Sequence, residues 1–196
     1  MNAQSLSSLT DAVLKRIFIE LEASGRHVHI THAQALTLFG HDLTPLRPLS
    51  QPGQFLAQER VTLKGPKGTL HSVAVLGPTR PQAQVEISLT DGKQLGITPP
   101  IRPSGDVANT PGAILITERS AVALQEGVIA AQRHIHLTPE TAARFGLQDK
   151  QSSVCRPSLP AHWYLMMFWS VSARILPIGC IWIMTKPTPV PCPPAT

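Results

Sequence analysis

Hydrophobic and polar residues alternate in short runs along most of this chain, a period-two pattern that predicts strands rather than long helices. Residues 17–30 (IFIELEASGRHVHI) read as a strand that alternates through Phe18, Glu20 and Glu22 and then sets Val28 between two histidines. Further strand segments are FLAQERVTLKG from Phe55, TLHSVAVLG from Thr69, QAQVEISLT from Gln82, AILIT from Ala113 and GVIAAQRHIHL from Gly127. Gly65-Pro66, Gly77-Pro78 and Pro111-Gly112 punctuate them, and Pro45, Pro48, Pro52 and Gly53 mark a turn-rich passage. Helical signals are brief. Residues 8–16 (SLTDAVLKR) predict a short helix with Ser8 or Thr10 as its N-cap. Thr31 and Gln34 have capping-box spacing, which predicts a helix over 32–39 that stops at Gly40. Many short strands with such turns predict a small barrel or sandwich.

One pattern occurs twice. Arg26-His-Val-His-Ile-Thr31 returns as Arg133-His-Ile-His-Leu-Thr138, and THAQALTLFG (31–40) matches TPETAARFG (138–146) with one residue of slippage. Pro139 suits the first turn of a helix that follows a threonine cap. A unit of strand, HxH, capped helix and Phe-Gly is therefore repeated. Two copies are too few for a solenoid and predict two related subdomains.

Composition narrows the class. With 42% hydrophobic and 15% charged residues the chain is no disordered tail, and 19 prolines with 13 glycines exclude a coiled coil. The net charge of +5 invites a nucleic-acid reading, but its distribution argues against one. The first 150 residues hold 14 basic and all 12 acidic groups, while the remainder holds only Arg156, Arg174 and Lys186. No basic stripe with interleaved aromatics results, so no nucleic-acid partner is expected. Cys155, Cys180 and Cys192 fit neither a zinc ribbon nor a paired disulfide framework. The N-terminus shows no basic segment followed by an apolar one, so a reducing cytoplasm is the expected location.

The histidine pairs carry the candidate chemistry. Residues two apart on a strand share a face, so His27 projects beside His29, and His134 beside His136. Two such imidazoles can chelate one divalent metal, with Zn²⁺ the usual occupant of mixed histidine and carboxylate sites. A single HxH reads first as a half-exposed polar strand face; two in matching contexts favour a metal or catalytic role. Glu86 interrupts an otherwise apolar strand and is the best carboxylate candidate, the alternative being an outward-facing strand residue. Arg80, in a Gly-Pro loop, suits a phosphate or other oxyanion, or is a solvated loop cation. Lys67, in Gly65-Pro-Lys-Gly68, stands as a phosphate contact or an idle turn lysine.

RHVHIT, LxQPGQFLAQERVTLKGPKG, LGPTRPQAQVEIS, PIRPSG…TPG and GVIAAQRHIHLTP, in that order, resemble the PduL-type phosphotransacylases. These are phosphate propanoyltransferases associated with bacterial microcompartments. The resemblance covers roughly residues 17–150. It implies a mainly β fold of two similar small β-barrel subdomains with short capped helices. The first barrel would span 17–112 after an N-terminal helix over 1–16, and the second would begin at 113–150. It implies two zinc ions and transfer of a propanoyl or acetyl group between coenzyme A and phosphate. By resemblance, His27, His29 and Glu86 bind one zinc, and His134 and His136 supply two ligands of the other. Arg80 then binds phosphate, and Lys67 and the segment around Ser24 contact coenzyme A. The implied partners are coenzyme A, phosphate, a short acyl phosphate, a microcompartment shell and a second copy of the chain. A non-catalytic metal-binding protein of the microcompartment is the rival reading.

After about Gln151 the resemblance lapses, so residues 151–196 read as a tail that leaves the second barrel incomplete. The family continues to a segment like MHxDxDEAN, whose histidine is the third ligand of the second zinc. A membrane span over 163–184 is not expected, because Arg174, Pro177 and Gly179 interrupt it. A shifted reading frame explains the tail better. Codons for Gly179-Cys-Ile-Trp-Ile-Met-Thr-Lys-Pro, read from the third base of the first, can spell Met-His-Leu-Asp-Tyr-Asp-Glu-Ala, and an Asn codon follows through Thr188.

Overall fold

A computed structural model of the chain describes residues 20–49, 51–137, 139–149, 151–155, 167–172 and 181–185; for 20–24, 152–155, 167–172 and 181–185 it describes the backbone only. The helix expected over 8–16 lies outside these residues. In chain order the elements are β1 (Glu20–Ser24), β2 (His27–His29), α1 (His32–Phe39), β3 (Pro45–Pro48), β4 (Phe55–Lys64), β5 (Thr69–Gly77), β6 (Gln84–Glu86), α2 (Leu89–Leu95), β7 (Ile101–Arg102), β8 (Ala113–Ile116), β9 (Ala121–Leu124), β10 (Val128–Ala131), β11 (His134–His136), α3 (Pro139–Arg144), β12 (Ser152–Cys155), β13 (Met167–Ser172) and β14 (Ile181–Thr185). The chain is mainly β, as the alternation predicts. Among the described residues no helix is long and apolar enough to cross a membrane.

Two compact units divide the chain, with breaks between Ala23 and Ser24, between Gln132 and Arg133 and between Met184 and Thr185. The larger holds a nine-stranded sheet ordered β7-β10-β6-β2-β5-β4-β8-β9, with β3 added on β4. Its core is aliphatic: Val28, Val61, Leu63, Val73, Val75, Val85, Leu115 and Val128 are at most 2% exposed. Such side chains contribute on the order of 1.5–3 kcal/mol each by burial. The smaller unit has the sheet order β1-β14-β11-β13-β12.

The capping box before α1 forms as expected. The Gln34 N–H donates to Thr31 Oγ1 at 3.2 Å, the Thr31 N–H donates to Gln34 Oε1 at 2.9 Å, and Gly40 closes the helix in the left-handed region at φ 82°. Other expectations are corrected. The strand drawn from Gln82 to Thr90 ends at Glu86, because Ser88 and Asp91 form a second capping box that starts α2. Gly92 inside that helix masks its period; it is required there, since a Cβ would lie 2.6 Å from Pro99 Cδ and 2.8 Å from the Ile97 carbonyl oxygen. The segment from Gly127 breaks at Gln132-Arg133 into β10 and β11, which join different sheets. Likewise 17–30 breaks at Gly25-Arg26. Pro45 and Pro48 sit in β3, which pairs on one side only and so tolerates residues without an N–H.

The sequence boundary at 112/113 also moves. β8 pairs with β4 through Thr62↔Ile116, Leu63↔Leu115 and Lys64↔Ile114, so residues 113–132 belong to the larger unit. Beyond Gln151 the expected incomplete unit gains β12, β13 and β14, the last two rich in the β-branched and aromatic residues that favour a pleated surface.

Both units repeat one block. In the larger, β2 pairs parallel with β5 and antiparallel with β6, and β5 pairs antiparallel with β4. In the smaller, β11 pairs parallel with β13 and antiparallel with β14, and β13 pairs antiparallel with β12. The blocks β4-β5-β2-β6 and β12-β13-β11-β14 have the same chain order and the same directions. The HxH repeat is thus the start of a repeated topology.

The turn between β4 and β5 packs backbone to backbone on the end of α2. A Cβ at Gly65 would lie 2.4 Å from the Leu95 carbonyl oxygen, and one at Gly68 2.4 Å from that of Gln94. Backbone cannot give way as a side-chain tip can. Gly65→Ala should therefore lower the free energy of urea unfolding by about 1–3 kcal/mol, whereas Gly25→Ala, with no heavy atom within 4 Å of the added carbon, should change it by less than about 0.5 kcal/mol.

Candidate metal centre

The β2–β6 ladder builds the centre. Its antiparallel register sets His27 opposite Glu86, Val28 opposite Val85 and His29 opposite Gln84. Directly opposed residues share a face. The two valines therefore turn into the aliphatic core, while His27, His29, Gln84 and Glu86 form a two-by-two polar patch on the other face. That face is buried too: the four are 6%, 2%, 2% and 7% exposed. β2 and β6 are interior strands of the sheet, so both HxH residues and the carboxylate rest on a fixed backbone.

One donor atom from each of His27, His29 and Glu86 falls within 4.8 Å of the others. His27 Nδ1 hydrogen-bonds the Gly25 carbonyl oxygen at 2.9 Å, which leaves Nε2 facing Glu86 Oε2 at 3.5 Å. His29 Nδ1 is buried with no hydrogen-bond partner among the described residues. His27 thus has one nitrogen engaged by backbone and the other facing the carboxylate, the arrangement that orients histidine ligands. A buried nitrogen lone pair without a donor is costly and fits a cation. These residues could hold a metal ion.

Electrostatics agree. Burial alone would raise the Glu86 carboxyl, but the His27 charge and hydrogen bond, with His29 and the Ser104 hydroxyl, outweigh it and hold it at about 2. Burial depresses His29, and the charges of His27 and Arg80 add to that, so it lies at about 3 and is a neutral ligand at pH 7. Burial works against His27 charge as well, but Glu86 and the Gly25 carbonyl outweigh it and raise the imidazole above its ordinary value.

Arg80 lies at the edge of this patch. It is half-buried, its backbone N–H donates to the Ile30 carbonyl at 2.9 Å, and its Nη1 is 3.5 Å from Ser104 Oγ. Burial lowers its pKa, with Glu86 acting the other way, and a guanidinium stays charged regardless. Gln84 and Ser104 were not singled out from sequence, although the QVE alternation puts Gln84 on the face of Glu86.

Lys67 is exposed on the β4–β5 turn; its backbone N–H donates to the Leu95 carbonyl at 2.9 Å, and its stem crosses Gly96, where a Cβ would lie 2.5 Å from Lys67 Cγ. Ser24 is the last residue of β1, and its side chain lies outside the described residues. His134 and His136 share a face of β11, ring centroids 4.6 Å apart and nearly perpendicular, as His27 and His29 are at 5.1 Å. Among the described residues no third donor completes a metal set with them. At the β14 positions opposite them stand Ile183 and Ile181, where the equivalent strand of the larger unit has Glu86 and Gln84. Isoleucine offers no donor atom.

The sequence profile of the phosphate propanoyltransferase family matches residues 20–167, which include both HxH strands and run past Gln151. A phosphate propanoyltransferase of Listeria monocytogenes is 44% identical over 183 residues, 90% of this chain and 84% of that protein. One of Clostridioides difficile is 47% identical over 152 residues, covering 74% and 73% of the two chains. One of Leptotrichia buccalis is 52% identical over 134 residues, covering 67% and 64%.

In metal-free protein the buried histidines should give stability a maximum near pH 6.5, the ordinary histidine value. His27, raised on folding, stabilises fully below that value, and the gain is lost as pH rises through its folded pKa. His29, depressed to about 3, stabilises above the ordinary value and loses the gain as pH falls towards 3. Urea unfolding of chelator-treated protein between pH 4.5 and 8.5 checks this; His29→Gln should flatten the acid arm and leave the alkaline arm.

Proposed function

This chain belongs to the phosphate propanoyltransferase family, and we propose that it moves a short acyl group between coenzyme A and phosphate, acyl-CoA and phosphate giving acyl phosphate and coenzyme A. The observation that carries the reading is a buried His27–His29–Glu86 set with Arg80 at its edge. Two imidazoles and a carboxylate favour Zn²⁺ over harder cations, which prefer all-oxygen sites. Zinc bound there would supply Lewis-acid stabilisation for negative charge on the thiolate or the thioester oxygen. Arg80 orients phosphate by charge-assisted hydrogen bonds. Phosphate is already a nucleophile, so position matters more than proton removal. The phosphate oxygen attacks the thioester carbonyl carbon, the carbon–sulfur bond breaks, and coenzyme A leaves as thiolate. Lys67 and the Ser24 segment are proposed to contact coenzyme A, Lys67 with its stem braced on Gly96.

His134 and His136 are proposed as two ligands of a second zinc, in a second subdomain similar to the first. In the shifted frame the missing histidine spans the codons of Cys180 and Ile181, so it falls in the strand that pairs with β11. The chain as written then holds about one zinc rather than two, because a stable site normally needs three or four protein ligands. Residence in a bacterial microcompartment, contact with its shell and self-association complete the proposal.

The test expresses the chain beside a version with the frame restored near codon 151. Zinc content should be about one and two equivalents respectively, and His27→Ala with His29→Ala should remove about one from each. Coenzyme A release from propanoyl-CoA and phosphate should be chelator-sensitive and far faster in the restored chain. Chelator-insensitive turnover overturns the zinc reading; full metal content with no turnover in the restored chain makes the non-catalytic reading the correct one.

Arg80→Ala in the restored chain should raise the phosphate KM about tenfold or more, the scale of a lost charge-assisted contact. Melting temperature should change little, because among the described residues the side chain has a single long hydrogen bond, to Ser104. Initial-rate kinetics over phosphate concentration checks it.

A further inference from the structure

Gln84 is as buried as His29, carries no charge, and its amide bridges Glu86 and the 103–106 loop. Its Nε2 donates to Glu86 Oε1 at 2.5 Å and to Ser104 Oγ at 2.9 Å, and its Oε1 accepts the Gly105 N–H at 2.6 Å. Ser104 Oγ also lies 3.5 Å from Arg80 Nη1. We propose that Gln84 is a positioning residue: it holds Glu86 as a one-oxygen ligand and ties the metal-binding end of the patch to the Ser104–Arg80 end. The inference rests on the metal reading above and concerns a residue that reading leaves unassigned.

The geometry leaves the amide one orientation. The Gly105 N–H needs an acceptor, so Oε1 must face it, and the amino group must then face Glu86 and Ser104. A flipped amide would set an oxygen against a carboxylate and leave a backbone donor without a partner. With Oε1 of Glu86 engaged by Gln84, Oε2 is the oxygen on the His27 side. A carboxylate whose second oxygen is hydrogen-bonded resists rotating into two-oxygen binding, which would disturb the histidine geometry. Register makes this dependable, because Gln84 faces His29 across the ladder as Glu86 faces His27. The 103–106 loop is exposed and Arg102 pairs with Asp106 at its far end, so Gln84 adds the tie between the loop and the patch, and through Ser104 reaches the Arg80 side chain.

The test uses Co²⁺ as probe on metal-free full-length chain, with affinity read by chelator competition and ligand geometry by the visible d–d spectrum. Gln84→Met keeps the volume and removes both donors; it should weaken Co²⁺ about 10–100-fold, the usual scale for a lost partner of a metal ligand, and change the band shape. Ser104→Ala, at an exposed loop position, removes one of the two acceptors and should fold whether or not Gln84→Met does. It should weaken Co²⁺ several-fold and shift the bands. A variant that is merely less stable would bind less without a spectral change. Wild-type affinity and spectrum in the folded variants would overturn the positioning role while leaving the metal reading intact. Absence of Co²⁺ binding by the wild-type chain would overturn both.

Discussion

The centre depends on one register, the antiparallel pairing of His27 with Glu86 between two interior strands. That pairing decides that the polar face of the ladder carries a complementary set, two imidazoles, a carboxylate and an amide. Burying an isolated carboxylate costs several kcal/mol, so the fold can hold Glu86 at 7% exposure only because His27 and Gln84 meet its oxygens. A slip of one residue would place Val85 among the histidines and drive Glu86 into the aliphatic core. Selection for a packed core and selection for the site therefore act on the same ladder.

The rest of the larger unit serves that ladder. Gly25 ends the extended run of β1 and offers its carbonyl to His27, so the break between the two strands also orients a ligand. Arg26, next in the chain, pairs with Asp91 at 3.1 Å, and Asp91 also closes the capping box of α2. The ion pair thereby joins the histidine strand to the helix that follows the carboxylate strand. Three glycines then seat the β4–β5 turn against the end of α2, which places Lys67.

The smaller unit shows what the repeated topology supplies without the right residues. Its HxH strand has the same parallel and antiparallel partners as β2, and its histidine rings have nearly the same mutual geometry. Opposite that strand β14 carries Ile181 and Ile183. Backbone pairing needs only a pleated, apolar stretch, and metal binding needs specific atoms.

The sequence by itself determined the mainly β class, the capped helix after His27-Val-His29, the doubled HxH pattern and the candidates Glu86 and Arg80. Those follow from local rules: period-two alternation, capping spacing, and the rarity of a carboxylate inside an apolar strand. It did not reveal α2, because Gly92, which close packing against Pro99 demands, weakens the helical signal; nor did it show that β8 and β9 belong with β4. Only tertiary structure decided which strand faces β2 and in what register, and hence that His27 meets Glu86 and His29 meets Gln84. Those partners lie more than fifty residues away along the chain. Their meeting is a property of sheet order, which side-chain pattern within one strand does not encode.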